Sequence, residues 1–293
     1  MTQPASEPTV IAVDGGGTRC RLALAGPGVR HDVEVGAANV TSDFDAAIAA
    51  IRAGLAQLAK AAGRDAASLA ACPAYLGLAG VTDAALAARV GAALPLRHAR
   101  VEDDRRCALR GALGPRDGAM AHFGTGSFFA LQTAGQSRFA GGWGSRLGDE
   151  GSAFWFGRAV LSATLDAVDG LIAPTELTRA MLARFDTPSG IVAFAGQAAP
   201  AEIAALARLV TSAAEAGDTL GSKILQASAD HMARVVVAMG WRPGMALCLT
   251  GGLGPAYRTY LPTDLQAALV TPDAAPIDGA LALARDLARE QRP

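Results

Sequence analysis

The sequence predicts an α/β protein of two lobes that begin with the same arrangement of strands and turns. With 293 residues, the chain is longer than one small domain needs and suits two domains of ordinary size. An apolar run, a glycine-rich turn and a second apolar run open the chain, and the same succession returns about 110 residues later. Because the two units match in pattern and not in sequence, we interpret them as a structural duplication.

The first half of the chain alternates short apolar runs with longer stretches of helical spacing. Apolar residues recur every three or four positions in residues 43–62, which favours an amphipathic helix that would end at Gly63. The strands predicted in this half are residues 9–13, 20–25, 33–35, 74–79 and 100–102, and the helices are residues 43–62, 83–94 and 105–113.

The second half begins after a marked break in the pattern. Residues 114–118 (Gly-Pro-Arg-Asp-Gly) form the clearest interruption, and we expect a domain boundary beside them. A glycine-dense loop, residues 141–151, leads into a helix, and residues 202–239 are almost continuously helical with a break near Gly217. The strands predicted in this half are residues 119–123, 128–133 and 245–250, and the other helices are residues 153–165 and 276–289.

Composition and charge exclude several classes of protein. The net charge of −1 argues against a surface for nucleic acids, since such surfaces concentrate lysine and arginine. The four cysteines are dispersed without the spacing of a zinc or iron–sulfur site, so we expect buried free thiols. Residues 1–10 lack the pattern of a signal peptide, and no apolar run approaches the ~20 residues that span a bilayer. We therefore expect a cytoplasmic protein without a membrane partner.

The turn after the first strand is the most informative motif. It consists of Asp14, Gly15, Gly16, Gly17 and Thr18. Glycines let consecutive backbone N–H groups approach phosphate oxygens, and a threonine hydroxyl adds a donor. A carboxylate would repel bare phosphates, so the aspartate makes sense beside a magnesium ion. The alternative is a tight hairpin turn with a capping aspartate, but a third glycine and a threonine are more than a turn requires.

Two more glycine loops follow predicted strands. One consists of Gly124, Thr125, Gly126 and Ser127, and the other contains Gly251, Gly252 and Gly254. The former repeats the phosphate-binding pattern, and the latter offers a flat backbone surface against which an adenine ring could lie. Each could be an ordinary turn by itself, but three such loops at strand ends favour nucleotide binding. No Walker loop and no well-placed dinucleotide motif is present.

Acidic residues near the glycine loops are candidates for binding and catalysis. Asp103 and Asp104 follow a strand, and phosphoryl transfer to a hydroxyl needs a carboxylate that takes its proton. Either of the two could instead cap the next helix. Asp149 and Glu150 could bind sugar hydroxyls and Trp143 a sugar ring, although acids also favour a helix N-terminus. The four histidines show no ligand spacing, and we interpret them as structural or surface residues.

Taken together, these motifs resemble the BadF/BadG/BcrA/BcrD-type ATPase family, and within it the N-acetylglucosamine kinase branch, over nearly the whole chain. The matching segments are VIAVDGGGTRCRLAL, GLAG (77–80), VEDDRRCALRGAL, HFGTGSF, GGWGSRLGDEGSAFWFGRAVL, AEAGDTLGSKIL, LTGGLG and APIDGALALA. The resemblance implies two ribonuclease-H-like lobes of the actin-like type, each a mixed five-stranded sheet flanked by helices, with a cleft between them. The first lobe would be residues 1–114, completed by the C-terminal helix 275–293, and the second would be residues 115–274.

The resemblance also implies roles for the residues at matching positions. Residues 14–18 would form the first phosphate loop, residues 124–127 the second, and residues 251–254 would lie at the adenosine. Asp104 would be the general base, and Asp14 would hold Mg²⁺ through water. The substrate residues that we expect are, in sequence order, Asn39, Asp104, Thr125, Gly142, Trp143, Asp149 and Glu150.

The predicted function is an ATP-dependent kinase that phosphorylates N-acetylglucosamine or glucosamine at the 6-hydroxyl, with ATP and Mg²⁺. One alternative is a kinase for another sugar such as N-acetylmuramic acid. A less favoured one is an ATPase that activates a radical enzyme, since no cysteine lies in a cluster motif. Arg105 and Arg106 stand where family members usually carry small residues, and they either favour an acidic sugar or point to solvent. Retention of Asp104 argues against a non-enzymatic sugar sensor, and a homodimer is expected by analogy alone.

Overall fold

The computed structural model describes residues 7–291, and its contacts divide the chain into two compact units. The first unit takes in the described residues up to Pro115 together with those from Pro272 onward, and the second is Arg116–Thr271. Residues 1–6 and 292–293, which the expected first lobe includes, lie outside the described residues, as does most of the polar segment searched for a signal peptide.

The elements before the second unit alternate between strands and helices. They are β1 (Val10–Gly15), β2 (Cys20–Gly26), β3 (Val29–Val35), α1 (Phe44–Ala61), α2 (Ala66–Ala70), β4 (Pro73–Leu78), α3 (Ala84–Ala93), β5 (His98–Asp103) and α4 (Arg105–Leu113). Aspartate caps begin the two longer helices after loops. The Asp43 carboxylate accepts the Ala46 N–H at 3.0 Å, and the Asp83 carboxylate accepts the Leu86 N–H at 2.8 Å.

The second unit has a higher proportion of helix. Its elements are β6 (Gly118–Phe123), β7 (Ser127–Thr133), β8 (Gln136–Gly141), α5 (Ala153–Val168), α6 (Glu176–Phe185), α7 (Pro188–Gln197), α8 (Pro200–Ala204), α9 (Ala207–Glu215), α10 (Thr219–Met239), β9 (Ala246–Thr250), a 3-10 helix (Gly254–Tyr260), α11 (Thr263–Ala267) and β10 (Leu269–Val270). The chain then returns to the first unit and ends with α12 (Pro276–Glu290). None of the described helices is both long and apolar enough to cross a membrane.

Each unit contains one five-stranded mixed sheet. The strand order is β3-β2-β1-β4-β5 in the first unit and β10-β9-β6-β7-β8 in the second. Three consecutive strands pair antiparallel in each sheet, and two further strands lie parallel to the first of them. This confirms the expected fold class of two mixed five-stranded sheets flanked by helices.

The first sheet is covered on both faces because β1 is apolar at consecutive positions from Val10 to Val13. Ile11 and Val13 pack on one face against α1, where Ile51 and Leu58 are fully buried. Val10 and Ala12 point to the other face, where they share a cluster with residues of α4 and α12. Replacing Ile51 or Leu58 by alanine would remove roughly 2–5 kcal/mol of stability.

The core of the second unit is a single large cluster between the sheet and its helices. Phe123 of β6 and Phe129 of β7 meet edge to face, with ring centroids 5.9 Å apart. They pack against Phe156 of α5 and against α10, which contributes Met232. A substantial apolar interior therefore lies directly beneath the loops that follow β6 and β9.

The elements of the second unit agree in part with the sequence expectations. Residues 202–239 are almost continuously helical, as expected, and comprise the end of α8 together with α9 and α10. The predicted break near Gly217 is confirmed, since Gly217 has φ of +88° and Asp218 caps α10 through the Leu220 and Gly221 N–H groups. Strand β8 and the short helices of residues 174–197 were not predicted, so the segments before and after the glycine-dense loop are more ordered than expected.

Candidate active site

The carboxyl ends of β1, β4 and β5 bring the two candidate acids of the first unit to one edge of the sheet. Asp14 pairs in register with Gly77 of β4, and Gly77 pairs in turn with Glu102 of β5. Asp104 follows the last residue of β5, so it lies at the same edge as Asp14. Since the strands are adjacent, two strand spacings of ~4.8 Å separate the chains that carry the acids.

A glycine in the middle strand lets Asp104 lie close to the sheet. A Cβ atom on Gly77 would collide with Sγ of Cys107 and lie 3.3 Å from Cα of Asp104. Cys107 belongs to α4, which begins directly after Asp104, and it is completely buried. The start of α4 therefore rests on the bare backbone of β4.

The capping alternative applies to Asp103 and not to Asp104. The Asp103 carboxylate accepts the backbone N–H of Arg105 at 2.9 Å and its Nε–H at 2.6 Å. Asp104 occupies the N-cap position of α4, but its side chain makes no capping hydrogen bond. The Asp104 carboxyl is thus not used in starting the helix.

Neighbouring negative charge and burial make Asp104 a weak acid. Burial, followed by the charges of Asp103 and Asp14, raises its pKa to about 7 against an opposing effect of Arg105. Burial also raises the pKa of Asp14, against the lowering effect of Arg21 and Arg19. A carboxyl that titrates near neutral pH can take up and release a proton during a reaction.

The two arginines after Asp104 are both paired with acids of β5. Arg105 forms an ion pair with Asp103, and Nε of Arg106 lies 3.3 Å from Oε2 of Glu102. Glu102 also accepts a hydrogen bond from the buried Tyr75 hydroxyl. The Arg106 side chain is 45% exposed, in agreement with the expectation of a solvent-directed arginine.

The first glycine loop has a fixed base and an exposed tip. A Cβ atom on Gly15 would lie 2.6 Å from the Leu78 side chain of β4 and 3.2 Å from Cβ of Ala38, so the loop is closely packed where it leaves the sheet. The Gly16 N–H donates to the Arg19 carbonyl at 2.9 Å, and the Gly16 carbonyl accepts the Ala38 N–H at 2.9 Å. Residues 17 and 18 are exposed at the tip.

Asn39 lies in a turn beside the same edge of the sheet. Its Oδ1 accepts the backbone N–H groups of Thr41 at 3.0 Å and Ser42 at 3.1 Å. The neighbouring Val40 N–H donates to the Ala79 carbonyl at 3.1 Å, which ties the turn to the end of β4. No acceptor for the Asn39 side-chain N–H groups is found among residues 7–291, so they can bind a ligand.

The acids of the first unit fit a weakly held magnesium ion better than a protein-enclosed one. In the described part of the chain, no group of three or more His, Cys, Asp or Glu side chains could hold a metal. Magnesium usually keeps several waters and binds through one or two carboxylates together with phosphate oxygens. The Asp14 carboxylate, close enough to Asp104 to raise its pKa, matches that kind of site.

The second glycine loop lies over the start of α5. The Gly124 N–H donates to the Gly126 carbonyl at 2.9 Å, which closes the turn between β6 and β7. The Gly124 and Thr125 carbonyls accept the N–H groups of Ala153 at 2.9 Å and Phe154 at 3.4 Å. First-turn N–H groups of the helix are satisfied by the loop, which fixes the loop's conformation.

The third glycine loop packs against the second. Gly251 has φ of +80°, and a Cβ atom there would collide with the Phe123 carbonyl. The Leu253 N–H donates to that same carbonyl at 3.1 Å. Only glycine allows this approach, so residues 251–254 lie directly beside residues 124–127.

A cavity of about 560 Å³ opens within the second unit where these two loops meet. Gly124, Thr125, Gly252 and Leu253 line one part of it, and the other part is formed by α8 and the beginning of α9. Its volume lies in the range of small-ligand sites, which is roughly 300–1,000 Å³. The sequence analysis did not anticipate that α8 and α9 would contribute to this cavity.

Asp149 is held in an unusual conformation with an unsatisfied acceptor. It has φ of +61°, is only 7% exposed, and its Oδ1 lacks a donor among residues 7–291. A Cβ atom on Gly126 would lie 2.8 Å from its Oδ2, so the carboxyl faces the second glycine loop. Burial raises its pKa against the effect of hydrogen bonds from the Ser127 and Gly144 backbone. Such strain and an orphan acceptor are typical of a ligand-binding position.

The remaining sugar candidates of this unit differ in their surroundings. Oε2 of Glu150 lies 4.0 Å from Nε2 of His231 on α10, and the Glu150 carbonyl accepts the Ser127 hydroxyl at 2.9 Å. Trp143 is 76% exposed, and Gly142 before it has φ of +74°. Asp149 and Glu150 therefore lie next to the second glycine loop, while Trp143 projects from the surface of the unit.

A buried tyrosine that lies outside every sequence motif supports the loop of Asp149 and Glu150. The Tyr257 hydroxyl donates to the Gly151 carbonyl at 2.6 Å and lies 2.6 Å from Oγ of Ser228. A Cβ atom on Gly151 would collide with this pair of hydroxyls. No motif surrounds Tyr257, so only the fold reveals its contact with a residue 106 positions earlier.

Comparisons with known proteins agree over almost the whole chain. A glucosamine kinase of Vibrio cholerae, GspK, is 26% identical over 278 residues, which are 94% of this chain and 95% of that protein. An N-acetylmuramic acid/N-acetylglucosamine kinase of Clostridium acetobutylicum is 31% identical over 137 residues, or 45% of each protein. A solved structure from Chromobacterium violaceum, described as a candidate N-acetylglucosamine kinase, has a TM-score of 0.81 and 31% identity, covering 94% of this chain and 99% of that one.

The family assignment follows from the extent of one further match. A sequence model of the family covers residues 11–284, from the first strand into the last helix, and so includes every glycine loop and acid described above. This chain belongs to the BadF/BadG/BcrA/BcrD ATPase family.

Proposed function

We propose that the protein is an ATP-dependent kinase that transfers the γ-phosphoryl group to the 6-hydroxyl of an amino sugar, N-acetylglucosamine or glucosamine. The names of its relatives support an amino-sugar acceptor, and the family supports ATP. The reaction forms a bond between the sugar oxygen and phosphorus, breaks the bond to the β-phosphate, and releases ADP and one proton.

The observation that carries this proposal is the state of the Asp104 carboxyl. It is uncommitted to the helix cap and has a pKa of about 7. A general base works best when its pKa is near the working pH, because it is then both ionised and able to hold a proton. Asp104 orients the sugar hydroxyl and accepts its proton as the phosphorus–oxygen bond forms.

The glycine loops hold the nucleotide in this proposal. Residues 124–127 bind phosphate oxygens through backbone N–H groups and the Thr125 hydroxyl, and residues 251–254 border the adenosine. The 560 Å³ cavity between these loops supports that assignment. Residues 14–18 provide further N–H donors, and Asp14 orients a water-bound Mg²⁺. That ion, when bound, neutralises charge on the phosphates.

In this proposal the sugar is selected by side chains that have an unpaired hydrogen-bond acceptor or donor, or an exposed aromatic ring. Asp149 accepts a hydrogen bond from a sugar hydroxyl through its orphan Oδ1, and Asn39 donates through its side-chain amide. Thr125 and Glu150 add polar contacts, and the exposed ring of Trp143 together with Gly142 covers an apolar sugar face. A site that hydrogen-bonds a hydroxyl strongly rejects analogues that lack it.

The relative from Clostridium acetobutylicum makes N-acetylmuramic acid the acceptor to compare. Its lactyl carboxylate would need a cation, and Arg105 is the arginine nearest to Asp104 in sequence. Arg105 is paired with Asp103 at 2.6 Å, which disfavours it as a dedicated carboxylate ligand. We therefore place the uncharged N-acetyl group or the free amine ahead of the lactyl sugar.

The test is a coupled assay of ADP release across a panel of hexoses and hexosamines, with Asp104→Asn beside the wild type. Sugar-dependent release is expected for an amino sugar, and the variant is expected to lose about 10²–10⁴-fold in kcat, the usual contribution of a general base. Release that does not depend on sugar, or a variant with full activity, contradicts the proposal.

A measurement of thermal stability shows whether Asp104→Asn is folded. The pKa of Asp104 is raised to about 7 from its ordinary 3.8, so the ionised carboxyl destabilises the fold fully above pH 7. This penalty fades as the pH falls towards 3.8. The variant should therefore unfold at a higher temperature than the wild type at pH 8 and lose that advantage near pH 4.

A further inference from the structure

A second cavity, of about 220 Å³, lies in the first unit at the end of the sheet opposite to Asp14. Three polar side chains from separate segments line it: Thr9 before β1, His31 of β3 and Arg64 after α1. Roughly 17 Å of extended strand separates Thr9 from Asp14 along β1. We propose that this cavity is an anion site separate from the candidate active site, and that it binds the phosphate group of a small molecule.

The polar side chains of this cavity have donors that lack strong partners. Among residues 7–291, no hydrogen bond of the Thr9 hydroxyl or of the His31 ring is found. Nη1 of Arg64 contacts Sγ of Cys72 at 3.8 Å, and a thiol sulfur is a weak acceptor. No aspartate or glutamate is found in the described lining. A guanidinium group, an imidazole and a hydroxyl without a competing carboxylate suit an anion.

The end of α1 fixes the backbone that carries Arg64. Gly63 has φ of +62°, and the Arg64 N–H donates to the Ala59 carbonyl at 2.9 Å, as in a Schellman motif. The Ala62 N–H donates to the Leu58 carbonyl at 3.0 Å. These bonds position Arg64 at the cavity and pair two helix-end carbonyls that would otherwise repel an anion.

The sheet positions the other two polar side chains. His31 of β3 pairs in register with Leu24 of β2, and both residues line the cavity. A Cβ atom on Gly26 would lie 2.5 Å from Oγ1 of Thr9, so the bare backbone of this glycine leaves room for the hydroxyl. The rest of the lining is apolar or small and comprises Leu24, Gly26, Pro27, Val29 and Ala62.

The size of the cavity and its number of donors select the class of ligand. Small-ligand sites usually measure roughly 300–1,000 Å³, so a site of about 220 Å³ is too small for a whole nucleotide. A phosphate group offers three acceptor oxygens to the three polar side chains, whereas a carboxylate offers two. Two sources share this chemistry: inorganic phosphate, and the sugar 6-phosphate that the proposed reaction would form.

Titration calorimetry with inorganic phosphate and with glucosamine 6-phosphate tests this inference. Saturating ADP and glucosamine, without Mg²⁺, occupy the candidate active site and prevent turnover. Arg64→Ala and His31→Ala should each weaken phosphate binding by about 10–100-fold, the usual effect of a hydrogen bond to a charged group. Arg97→Ala and His98→Ala, which replace exposed residues of the same unit, should bind phosphate as the wild type does.

The two ligands distinguish the two sources. Binding of glucosamine 6-phosphate that is more than about fivefold tighter than that of phosphate, and is lost in Arg64→Ala, supports the sugar ester as the ligand. Equal affinities that are both lost in Arg64→Ala support free phosphate. An unfolding temperature like that of the wild type shows that the variant is folded, since Arg64 is exposed.

Three results would overturn the site. They are a wild type that binds neither ligand, an Arg64→Ala variant with wild-type affinity for both, and an equal loss of affinity in Arg64→Ala and Arg97→Ala. The proposed kinase function fails separately, through absence of ADP binding or of sugar-dependent ADP release. Neither of these depends on Arg64.

Discussion

The first and second units build their sheets in the same order and place different groups at corresponding positions. Asp14 is the penultimate residue of β1, and His122 is the penultimate residue of β6. Each pairs with the strand that runs parallel to it, Asp14 with Gly77 and His122 with Thr250. One position therefore holds a carboxylate and the other an imidazole, although the backbone framework is the same.

The neighbouring residue explains how each unit uses that position. Gly77 has no side chain, and the start of α4 with Asp104 rests against it. Thr250 keeps its side chain, and its hydroxyl lies 3.0 Å from Nδ1 of His122. Burial lowers the pKa of His122, so the second unit presents a neutral pair while the first presents two interacting acids.

The fifth strand adds a second difference. In the first unit β5 has six residues and delivers Asp103 and Asp104 to the sheet edge. In the second unit β10 has two residues, and the chain leaves for the first unit at Pro272. The shared strand order therefore determines which positions are adjacent at the sheet edge. The strand lengths and the residues at those positions determine which functional groups each unit places there.

Gly77→Ala should cause the largest loss of kcat/KM and should affect the first unit more than the matching substitution affects the second. The added methyl group must displace Cys107 or Asp104, because both lie against Gly77. Displacement of a catalytic group by about 1 Å costs about 100-fold in rate, and overpacking costs about 1–3 kcal/mol of stability. We expect a loss of that size in kcat/KM, measured together with the unfolding temperature. Thr250→Val, at the corresponding position, should lose less than about tenfold, since it removes one hydrogen bond.

A second substitution identifies the cause of the loss. Cys107→Ala in the Gly77→Ala background removes the Sγ atom that the new methyl group would meet first. Activity should recover in part, because the remaining contact with Cα of Asp104 is 3.3 Å. Wild-type kcat/KM in the single variant would show that Gly77 does not determine the position of Asp104.

The strands and glycine loops were predictable because their signals are local. Apolar runs that end in consecutive glycines specify a strand and a turn, and α4 agrees with its prediction at both ends. Within residues 202–239 the break near Gly217 was predictable, but the break between α8 and α9 was not, since alanine-rich sequence favours helix throughout. Where such a helix stops depends on tertiary contacts, such as the packing of Ile203 of α8 against Gly157 of α5.

The sequence was sufficient to select the residues of the candidate site, but not to predict their hydrogen-bond partners or their pKa values. Motifs selected Asp104 and Asp149, but the division of labour between Asp103 and Asp104 depends on which carboxylate reaches the Arg105 N–H. The pKa of Asp104 depends on Asp14, which is 90 positions away in sequence and two strands away in the sheet. The roles of Gly77 and Tyr257 arise from such long-range contacts, which no local pattern encodes.

Tyr257→Phe should have an intermediate effect, confined to the loop that carries Asp149. It keeps the ring against Phe123, with ring centroids 4.4 Å apart, and removes the hydrogen bond to the Gly151 carbonyl. The left-handed conformation of Asp149 is then less well supported. We expect the KM for the sugar to rise about tenfold, with a loss of about 1–2 kcal/mol in stability. Steady-state kinetics with each substrate varied in turn provides the measurement.

A matched variant separates positioning from general destabilisation. Ser228→Ala removes the other hydroxyl of the pair and keeps the bond from Tyr257 to Gly151, so its sugar KM should change much less. Equal increases in the KM for sugar and for ATP in Tyr257→Phe would mean that the tyrosine supports the whole unit and not the acidic loop.

Asp103→Asn should have the smallest effect, a shift in the pKa of Asp104. The charge of Asp103 is one of the causes that raise the pKa of Asp104 to about 7. Asp103→Asn removes that charge and keeps an oxygen that can accept the Arg105 N–H. The pKa of Asp104 should therefore fall, and the acidic limb of the kcat/KM profile should move to lower pH.

The sign of this shift follows from the role of Asp104 as a base. The wild type loses activity as the pH falls below about 7, because Asp104 becomes protonated. In Asp103→Asn the carboxylate persists to lower pH, so activity at pH 6 relative to pH 8 should rise by at most about tenfold. Asp45→Asn, an exposed acid on α1, should leave the limb in place. A limb that stays unchanged in Asp103→Asn, or moves to higher pH, would show that the titrating group is not Asp104.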